Sequence, residues 1–112
     1  MEPAETGYCL IYITAGSAEE AERLAQVVLK KRLAACANIY APIRSIYWWE
    51  GRLEKAEEAV LILKAPRKHY KAIEREILAH HSYQTPAILE LPLAQGLPAF
   101  FQWLAQETQP TS

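Results

Sequence analysis

The stretch Ala35–Pro66, ACANIYAPIRSIYWWEGRLEKAEEAVLILKAP, decides how this chain folds. Its first half is strand-like, Gly51 marks a turn, and its second half ends in the apolar run Ala59–Leu63. This pattern predicts a long β-hairpin. Because Pro42 has no N–H group to donate to a ladder, the first arm is expected to be an edge strand or to be bulged at that residue.

On the N-terminal side of the hairpin, the pattern predicts a strand followed by a helix. Tyr8–Ala15 is a short apolar run rich in β-branched and aromatic residues and closed by Gly16, as in a buried strand. Ser17, with Glu20 three residues later, forms a capping box, and apolar residues at helical spacing continue the helix to about Arg32.

On the C-terminal side, the pattern predicts a helix, a strand and a last helix. Lys68–His80 has apolar residues on one helical face, Pro86 opens a short strand, and Pro98 opens the final helix. The whole order predicts an α+β fold: a ferredoxin-like βαββαβ sandwich with a long β-hairpin and an extra C-terminal helix. Right-handed crossovers place the first and third strands at the centre of the sheet.

Length and charge restrict the class of protein. With 51% apolar and 22% charged residues, the chain is typical of one globular domain over residues 1–112, with 1–6 and 107–112 expected to fray. Its 12 basic and 13 acidic residues are interleaved, so we expect no nucleic-acid partner. The first apolar run is too short for a signal peptide or a membrane span, which predicts a cytoplasmic protein with no membrane partner.

The tip of the hairpin is apolar on both faces, because Ile46, Tyr47, Trp48 and Trp49 are consecutive. In a two-layer domain only one face of a strand lies under helices, and period-two alternation would make the other face polar. We therefore predict a closed symmetric oligomer with these residues at its interface. The alternative is an aromatic cluster folded over its own domain.

Blocks spread along the chain resemble one known family, the divalent-cation tolerance protein CutA. The blocks are RLAACANI (Arg32–Ile39), SIYWWEG (Ser45–Gly51), ILK (Ile62–Lys64) and HHSYQTPAILELPL (His80–Leu93). The resemblance runs from about Thr14 to Leu104. It implies homotrimers of ferredoxin-like subunits joined through long hairpins, an architecture related to PII-type signalling proteins, a role in tolerance of copper and other divalent metals, and no established catalytic reaction.

The chain also departs from this family where metal chemistry is concerned. Family members usually have proline in place of Ser82, and some bacterial members have cysteine in place of Ile13. The resemblance therefore implies that this chain lacks the soft ligand nearest to His81.

Three side chains are candidate metal ligands: His81, His80 and Cys36. Imidazole and thiolate groups bind copper and zinc well. Adjacent helical residues point about 100° apart, so both histidines reach one ion only where the helix has unwound. The alternative is a helix end, with one histidine capping carbonyl groups and the other in solvent. His81, at the family motif position, is the better ligand candidate. Cys36 is either a packed thiol or a soft ligand for Cu(I).

The predicted topology separates these candidates. Cys36 begins the second strand and His81 precedes the fourth, so they lie at opposite ends of the sheet, about 20 Å apart. One ion cannot bridge them within a subunit, and a shared site must cross a subunit boundary. Cys9 and Cys36 lie on strands separated by a third, about 10 Å apart, and should not form a disulfide.

A second group of residues could bind a small anion in a cleft between subunits: Lys64, Tyr83, Glu50 and Arg44. The alternative is that these are solvated ends or interface ion pairs. No catalytic residue is predicted. Nucleophilic catalysis would require Cys36 to lie within hydrogen-bonding distance of a histidine, and the predicted topology excludes this within one subunit.

Two hypotheses of function follow. The first is a trimeric, non-catalytic cytosolic protein that binds copper or another divalent cation or regulates its handling. The second is a PII-like small-molecule sensor or protein-docking scaffold that uses the clefts between subunits. A hydrolase or transferase with its site at the interface is a third possibility that no motif supports.

Overall fold

The computed structural model describes residues 6–110 and confirms the predicted ferredoxin-like order. The elements are β1 (Tyr8–Ala15), α1 (Ala18–Lys30), β2 (Cys36–Trp49), β3 (Arg52–Pro66), α2 (Tyr70–His80), β4 (Ile88–Pro92) and α3 (Pro98–Glu107). A 3-10 turn, Arg67–His69, precedes α2. The four strands found within residues 6–110 form one antiparallel sheet in the order β2-β3-β1-β4, with β3 and β1 at its centre.

The two faces of the sheet have different surroundings. On the inner face, alternate residues of β1 and β3 are buried beneath α1 and α2 and form the core with residues such as Leu24 and Ile73. On the other face, which we call the outer face, Tyr12 of β1 lies between Ile62 of β3 and Leu89 of β4. Leu89 is 56% exposed, so this face is apolar but not covered by the chain's own helices at that point.

The helix α3 covers one end of the outer face. The Phe101 ring stacks on Tyr8 of β1 with ring centroids 4.8 Å apart, and the Lys64 ammonium group lies 5.7 Å from the centroid of the Phe100 ring. A Cβ atom at Gly96 would overlap the Phe101 ring, so a larger residue there would displace that ring from its present position. The final helix therefore packs on the outer face beside the start of β1.

The first helix ends earlier than its apolar spacing predicts, at Lys30 rather than at about Arg32. Arg32 has φ +59°, a left-handed conformation. The N–H groups of Arg32 and Leu33 donate to the carbonyls of Leu29 and Val28, which is the hydrogen-bond pattern of a Schellman motif. An exposed ion pair of 2.9 Å joins the Arg32 guanidinium to the Glu107 carboxylate at the end of α3.

The hairpin extends beyond the rest of the sheet. Strand β1 pairs only with residues 59–66 of β3, whereas β2 and β3 continue to the pair Trp49–Arg52. Glu50 and Gly51 both have positive φ, as in a two-residue type I′ turn. Both expectations for Pro42 are met, because β2 is an edge strand and its register shifts between Tyr40 and Ile43.

The apolar side chains of the hairpin tip are exposed in the single chain. Trp48 is 74% exposed, Ile46 62% and Trp49 58%. The alternative in which the aromatic cluster folds over its own domain is therefore wrong, since the tip lies beyond the reach of the helices.

Parts of the two segments predicted to fray are held by contacts. The Thr6 hydroxyl donates to the Leu93 carbonyl at 2.6 Å, and Thr108 is buried and donates to the Leu104 carbonyl at 2.8 Å. Residues 1–5 and 111–112 of those segments lie outside the described residues. None of the helices within 6–110 has the length and hydropathy needed to cross a membrane.

Candidate functional site

The structure places Cys36 and His81 towards opposite ends of the sheet. Cys36 pairs with Lys64 of β3, whereas the His81 ring contacts Thr14, which pairs with Val60. Four residues of β3 span about 13 Å, somewhat less than the sequence-based estimate of about 20 Å. One ion still cannot contact both side chains within a single chain.

The His81 side chain is fully buried, and both of its ring nitrogens are engaged. Nε2 lies 2.8 Å from the Thr14 carbonyl oxygen, which only accepts, so Nε2 carries the proton. Nδ1 accepts from the N–H of Tyr83 at 2.9 Å. In this arrangement His81 joins the end of β1 to the loop before β4, and neither nitrogen has a lone pair available to a metal ion.

His80 has the geometry that a metal ligand needs. Its Nδ1 lies 2.9 Å from the carbonyl oxygen of Glu76 and the side chain is exposed, which leaves Nε2 free. A histidine whose other nitrogen donates to a carbonyl is the usual arrangement of a metal ligand. His80 therefore caps a carbonyl group at the end of α2, whereas His81, the candidate favoured from the sequence, is buried with both ring nitrogens engaged.

Glu20 holds the same loop from the helix side. Its carboxylate accepts the N–H of Gly16 at 2.9 Å and the N–H of Ser82 at 2.8 Å, and lies 3.6 Å from Nδ1 of His81. Burial alone would raise the pKa of Glu20, but these N–H donors outweigh it and hold the pKa below its ordinary value. The carboxylate of the capping box thus anchors the loop 81–83.

Among residues 6–110, no group of three or more His, Cys, Asp or Glu side chains is gathered closely enough to hold a metal ion. Together with the engaged nitrogens of His81 and the distance to Cys36, this means that the described donors of one chain do not form a copper site. A site built from the predicted ligands requires more than one copy of the chain.

A cavity of about 650 Å³ lies in the notch between the projecting hairpin and the loop before β4. That volume is within the range of small-molecule sites. Its wall on the hairpin side belongs to the outer face, because Ser45, Tyr47 and Trp49 alternate along β2. The lining residues are Thr14, Ser45, Tyr47, Trp49, Glu58, Tyr83, Gln84, Thr85 and Ala87.

The two walls of this cavity are joined by one hydrogen bond. The Tyr83 hydroxyl donates to a carboxylate oxygen of Glu58 at 2.7 Å. Burial, reinforced by this bond, raises the pKa of Tyr83 above its ordinary value, so the hydroxyl remains a donor near neutral pH. The carboxylate group of Glu58 is therefore held by Tyr83 inside a cavity with aromatic walls.

The residues predicted to share an anion-binding cleft do not meet within one chain. Tyr83 lines the cavity, whereas Glu50 lies in the hairpin turn and Lys64 at the far end of β3. The strand from Arg52 to Lys64 spans about 40 Å. Arg44 lies opposite Glu57, on the side of the hairpin away from the cavity.

Sequence reasoning missed Glu58, Thr14 and Ser45 as site residues. A signal was present: in the predicted topology, the end of β1, the stretch of β3 before Ala59 and the loop before β4 all lie at one end of the sheet. Polar residues at that end belong to different segments, and no sequence motif connects them.

Comparison with known proteins gives one consistent result. The family described as CutA1 divalent ion tolerance protein matches residues 9–107. The divalent-cation tolerance protein CutA of Archaeoglobus fulgidus is 46% identical over 99 residues, which cover 88% of this chain and 96% of that protein. The protein of the same name from Escherichia coli is 38% identical over 101 residues, which cover 90% of each. A solved structure described as the periplasmic divalent cation tolerance protein CutA of A. fulgidus matches with a TM-score of 0.89 at 44% identity, covering 91% of this chain and 99% of that one.

Proposed function

The chain belongs to the CutA1 divalent ion tolerance family, and from that premise we propose that it is a non-catalytic homotrimer that binds copper in the cytoplasm. The family is named for tolerance rather than for an enzymatic reaction. The single observation that carries the proposal is the exposed apolar hairpin tip, which in a soluble protein is expected to be covered.

Association is supported by two apolar surfaces. At the hairpin tip, Ile46 and Trp48 lie on one face of β2, and Tyr47 and Trp49 lie on the other, so a single flat partner surface cannot cover both. On the outer face of the sheet, the row containing Leu89 is also uncovered. In a closed trimer, each hairpin can reach a neighbour while the three outer faces meet, which removes both surfaces from water.

Copper is proposed to bind where two copies meet. The free thiol of Cys36 lies on the edge strand β2, and His80 presents an unengaged Nε2 at the end of α2. Because the donors within residues 6–110 of one chain do not form a site, Cys36 and His80 are proposed to act as ligands from different copies. His81 is proposed to shape the neighbouring loop rather than to hold the metal.

The cytoplasmic location is a proposal supported by the two free cysteines, Cys9 and Cys36, which the sheet keeps apart. The A. fulgidus structure is described as that of a periplasmic protein. Separation of periplasmic and cytoplasmic fractions of the source cells, followed by immunoblotting, tests this part of the proposal directly.

The copper proposal is tested by calorimetric titration of the reduced, metal-free protein with Cu(I), Cu(II) and Zn(II), with molar mass read by light scattering. A whole number of copper ions per trimer is expected, and both His80→Ala and Cys36→Ala should abolish tight binding. His69→Ala is the matched control, because His69 lies before the start of α2, at the opposite end of that helix from His80. Its Nδ1 contacts the Leu33 carbonyl. Weak copper binding that neither substitution alters would overturn the copper proposal. The proposal of a trimer would then be tested separately, by the molar mass.

A second candidate function is favoured by the cavity beside Glu58. A PII-like sensor needs a small-molecule site near a subunit boundary, and this cavity lies on the outer face that the proposed trimer covers. The cavity differs from the cleft predicted from the sequence, because Lys64 does not line it. A metabolite anion is therefore not its expected ligand.

A further inference from the structure

The cavity combines aromatic rings with one negative charge. Three of its lining residues are aromatic, Tyr47, Trp49 and Tyr83, and Glu58 supplies the carboxylate. Among the described residues that line it, none is Lys, Arg or His. Aromatic faces attract cations through the ring quadrupole, and a desolvated carboxylate attracts them by charge. The chemistry of the walls therefore selects a cation that also has apolar surface.

We propose that this cavity binds a small organic ammonium ion. The proposal rests on the second candidate function, that the cavity is a ligand site of a sensor, and it names the class of ligand. The ammonium head group would lie against the rings of Tyr47 and Trp49 near the carboxylate of Glu58. The hydroxyl groups of Thr14 and Ser45 lie on the same outer face and can accept from N–H groups or pair with a hydroxyl of the ligand.

The site is built before a ligand arrives. Tyr83 is held by its own hydrogen bond to Glu58, and its backbone N–H is held by His81. Glu20 anchors the preceding residue, Ser82, through its N–H. Because this loop is already fixed at three successive residues, it loses little conformational entropy when a ligand binds. This favours a small ligand that makes few contacts.

A hard divalent ion is the less suitable occupant. Magnesium and calcium take six or more oxygen ligands, several of them charged in typical protein sites. Glu58 is the single carboxylate among the described lining residues, and one of its oxygens already accepts from Tyr83. Aromatic walls supply no further charged oxygen, whereas they contribute directly to binding an ammonium ion.

The test uses the native, assembled protein and choline chloride as the probe. Calorimetry and tryptophan fluorescence are measured against 3,3-dimethylbutan-1-ol, which has the shape of choline without its charge, with sodium chloride matching the ionic strength. Choline is expected to bind about tenfold or more tightly than the neutral isostere. Ethanolamine in a parallel titration distinguishes a quaternary from a primary ammonium ligand, and binding of either supports the proposal.

The matched variants are Glu58→Gln and Glu57→Gln. The first retains an acceptor for the Tyr83 hydroxyl but loses the negative charge, and the expected result is a loss of about tenfold in affinity. Glu57 pairs with Arg44 on the opposite side of the hairpin, so its variant should bind as the wild type does. Trp49→Leu provides a further variant if Glu58→Gln fails to fold; it is measured on protein that light scattering shows to be assembled, and it should weaken binding by a similar factor.

Several results would overturn the proposal. These are equal binding of choline and its neutral isostere, binding of manganese(II) chloride but of neither ammonium ion, and no binding to a protein that light scattering shows to be assembled. The last result means that a neighbouring copy fills the cavity. Each leaves the copper proposal intact, since that is measured on His80 and Cys36 rather than on Glu58.

Discussion

The hydroxyl group of Tyr83 and the carboxylate of Glu58 are 2.7 Å apart, and their hydrogen bond joins the loop before β4 to the projecting hairpin. The loop is otherwise tied to the end of β1 and the start of α1, through His81 and Glu20. The contact therefore couples two parts of the chain whose relative position shapes the cavity.

Removal of this bond should cost stability without unfolding the protein. We expect Tyr83→Phe to lower the free energy of unfolding by about 1 kcal/mol, because a partly buried carboxylate loses a donor but can still be hydrated. Urea denaturation of wild type, Tyr83→Phe, Glu58→Ala and the double variant measures the coupling between the two residues. Strict additivity in this cycle would show that the bond contributes nothing.

His81 and His80 should behave differently when replaced. His81→Ala leaves the Thr14 carbonyl and the Tyr83 N–H without their partner and creates a cavity, so a loss of about 2–3 kcal/mol is expected. His80→Ala removes an exposed ring, and a change within about 0.5 kcal/mol is expected. Thermal unfolding at a fixed protein concentration compares them. Equal losses in the two variants would contradict the structural role assigned to His81.

Because of Glu20, the free energy of unfolding should depend on pH in the acidic range. The folded carboxyl group has a pKa below its ordinary value of 4.5. Its stabilising contribution is therefore fully present above about pH 4.5, the region of the unfolded pKa, and is lost as the pH falls through the folded pKa. Glu20→Gln should be less stable than wild type at pH 7, with a difference that shrinks below about pH 4.5. Urea midpoints measured between about pH 3 and 8 give the profile, and a constant difference throughout would refute this assignment.

The two tryptophans at the hairpin tip should be needed for assembly rather than for the fold of one chain. Both are more than half exposed in the single chain, so Trp48→Ser with Trp49→Ser should leave the far-ultraviolet circular dichroism of a soluble product unchanged. We expect monomers or aggregate by light scattering, since burial of large apolar side chains at the proposed interface is lost. Leu78→Ser, at an exposed position of α2, is the control and should stay assembled. A double variant that remains a trimer of normal stability would contradict the trimer argument.

Arg32 offers a test of backbone strain. Its φ of +59° disfavours any residue with a Cβ atom, so Arg32→Gly should be more stable than Arg32→Ala by about 1 kcal/mol. The two variants lose the same exposed ion pair to Glu107, and their difference isolates the backbone term. Denaturant titration measures it, and equal stability would mean that the left-handed conformation carries no cost here.

The candidate site divides into a part that could be predicted and a part that could not. The hairpin, its turn at Gly51 and the irregularity at Pro42 follow from backbone preferences that act over a few residues. The exposure of Trp48 and Trp49 also follows, because the hairpin is longer than the strand beside it. These features needed no knowledge of how distant segments pack.

The roles of individual side chains depended on contacts between distant segments. The bond from His81 to Thr14 joins residues 67 positions apart, and it gives His81 a structural contact that no local sequence pattern indicates. Glu20, predicted to cap its own helix, anchors Ser82, which lies 62 residues away.

The sequence by itself determined the order of strands and helices, the long hairpin and the apolar character of its tip, because periodicity, turns and caps are local properties of the chain. Only the tertiary structure decided which nitrogen, hydroxyl or carboxylate is engaged and where the cavity beside Glu58 lies. Hydrogen bonds are sensitive to separations of a few tenths of an ångström, and such separations are set by the packing of the whole domain.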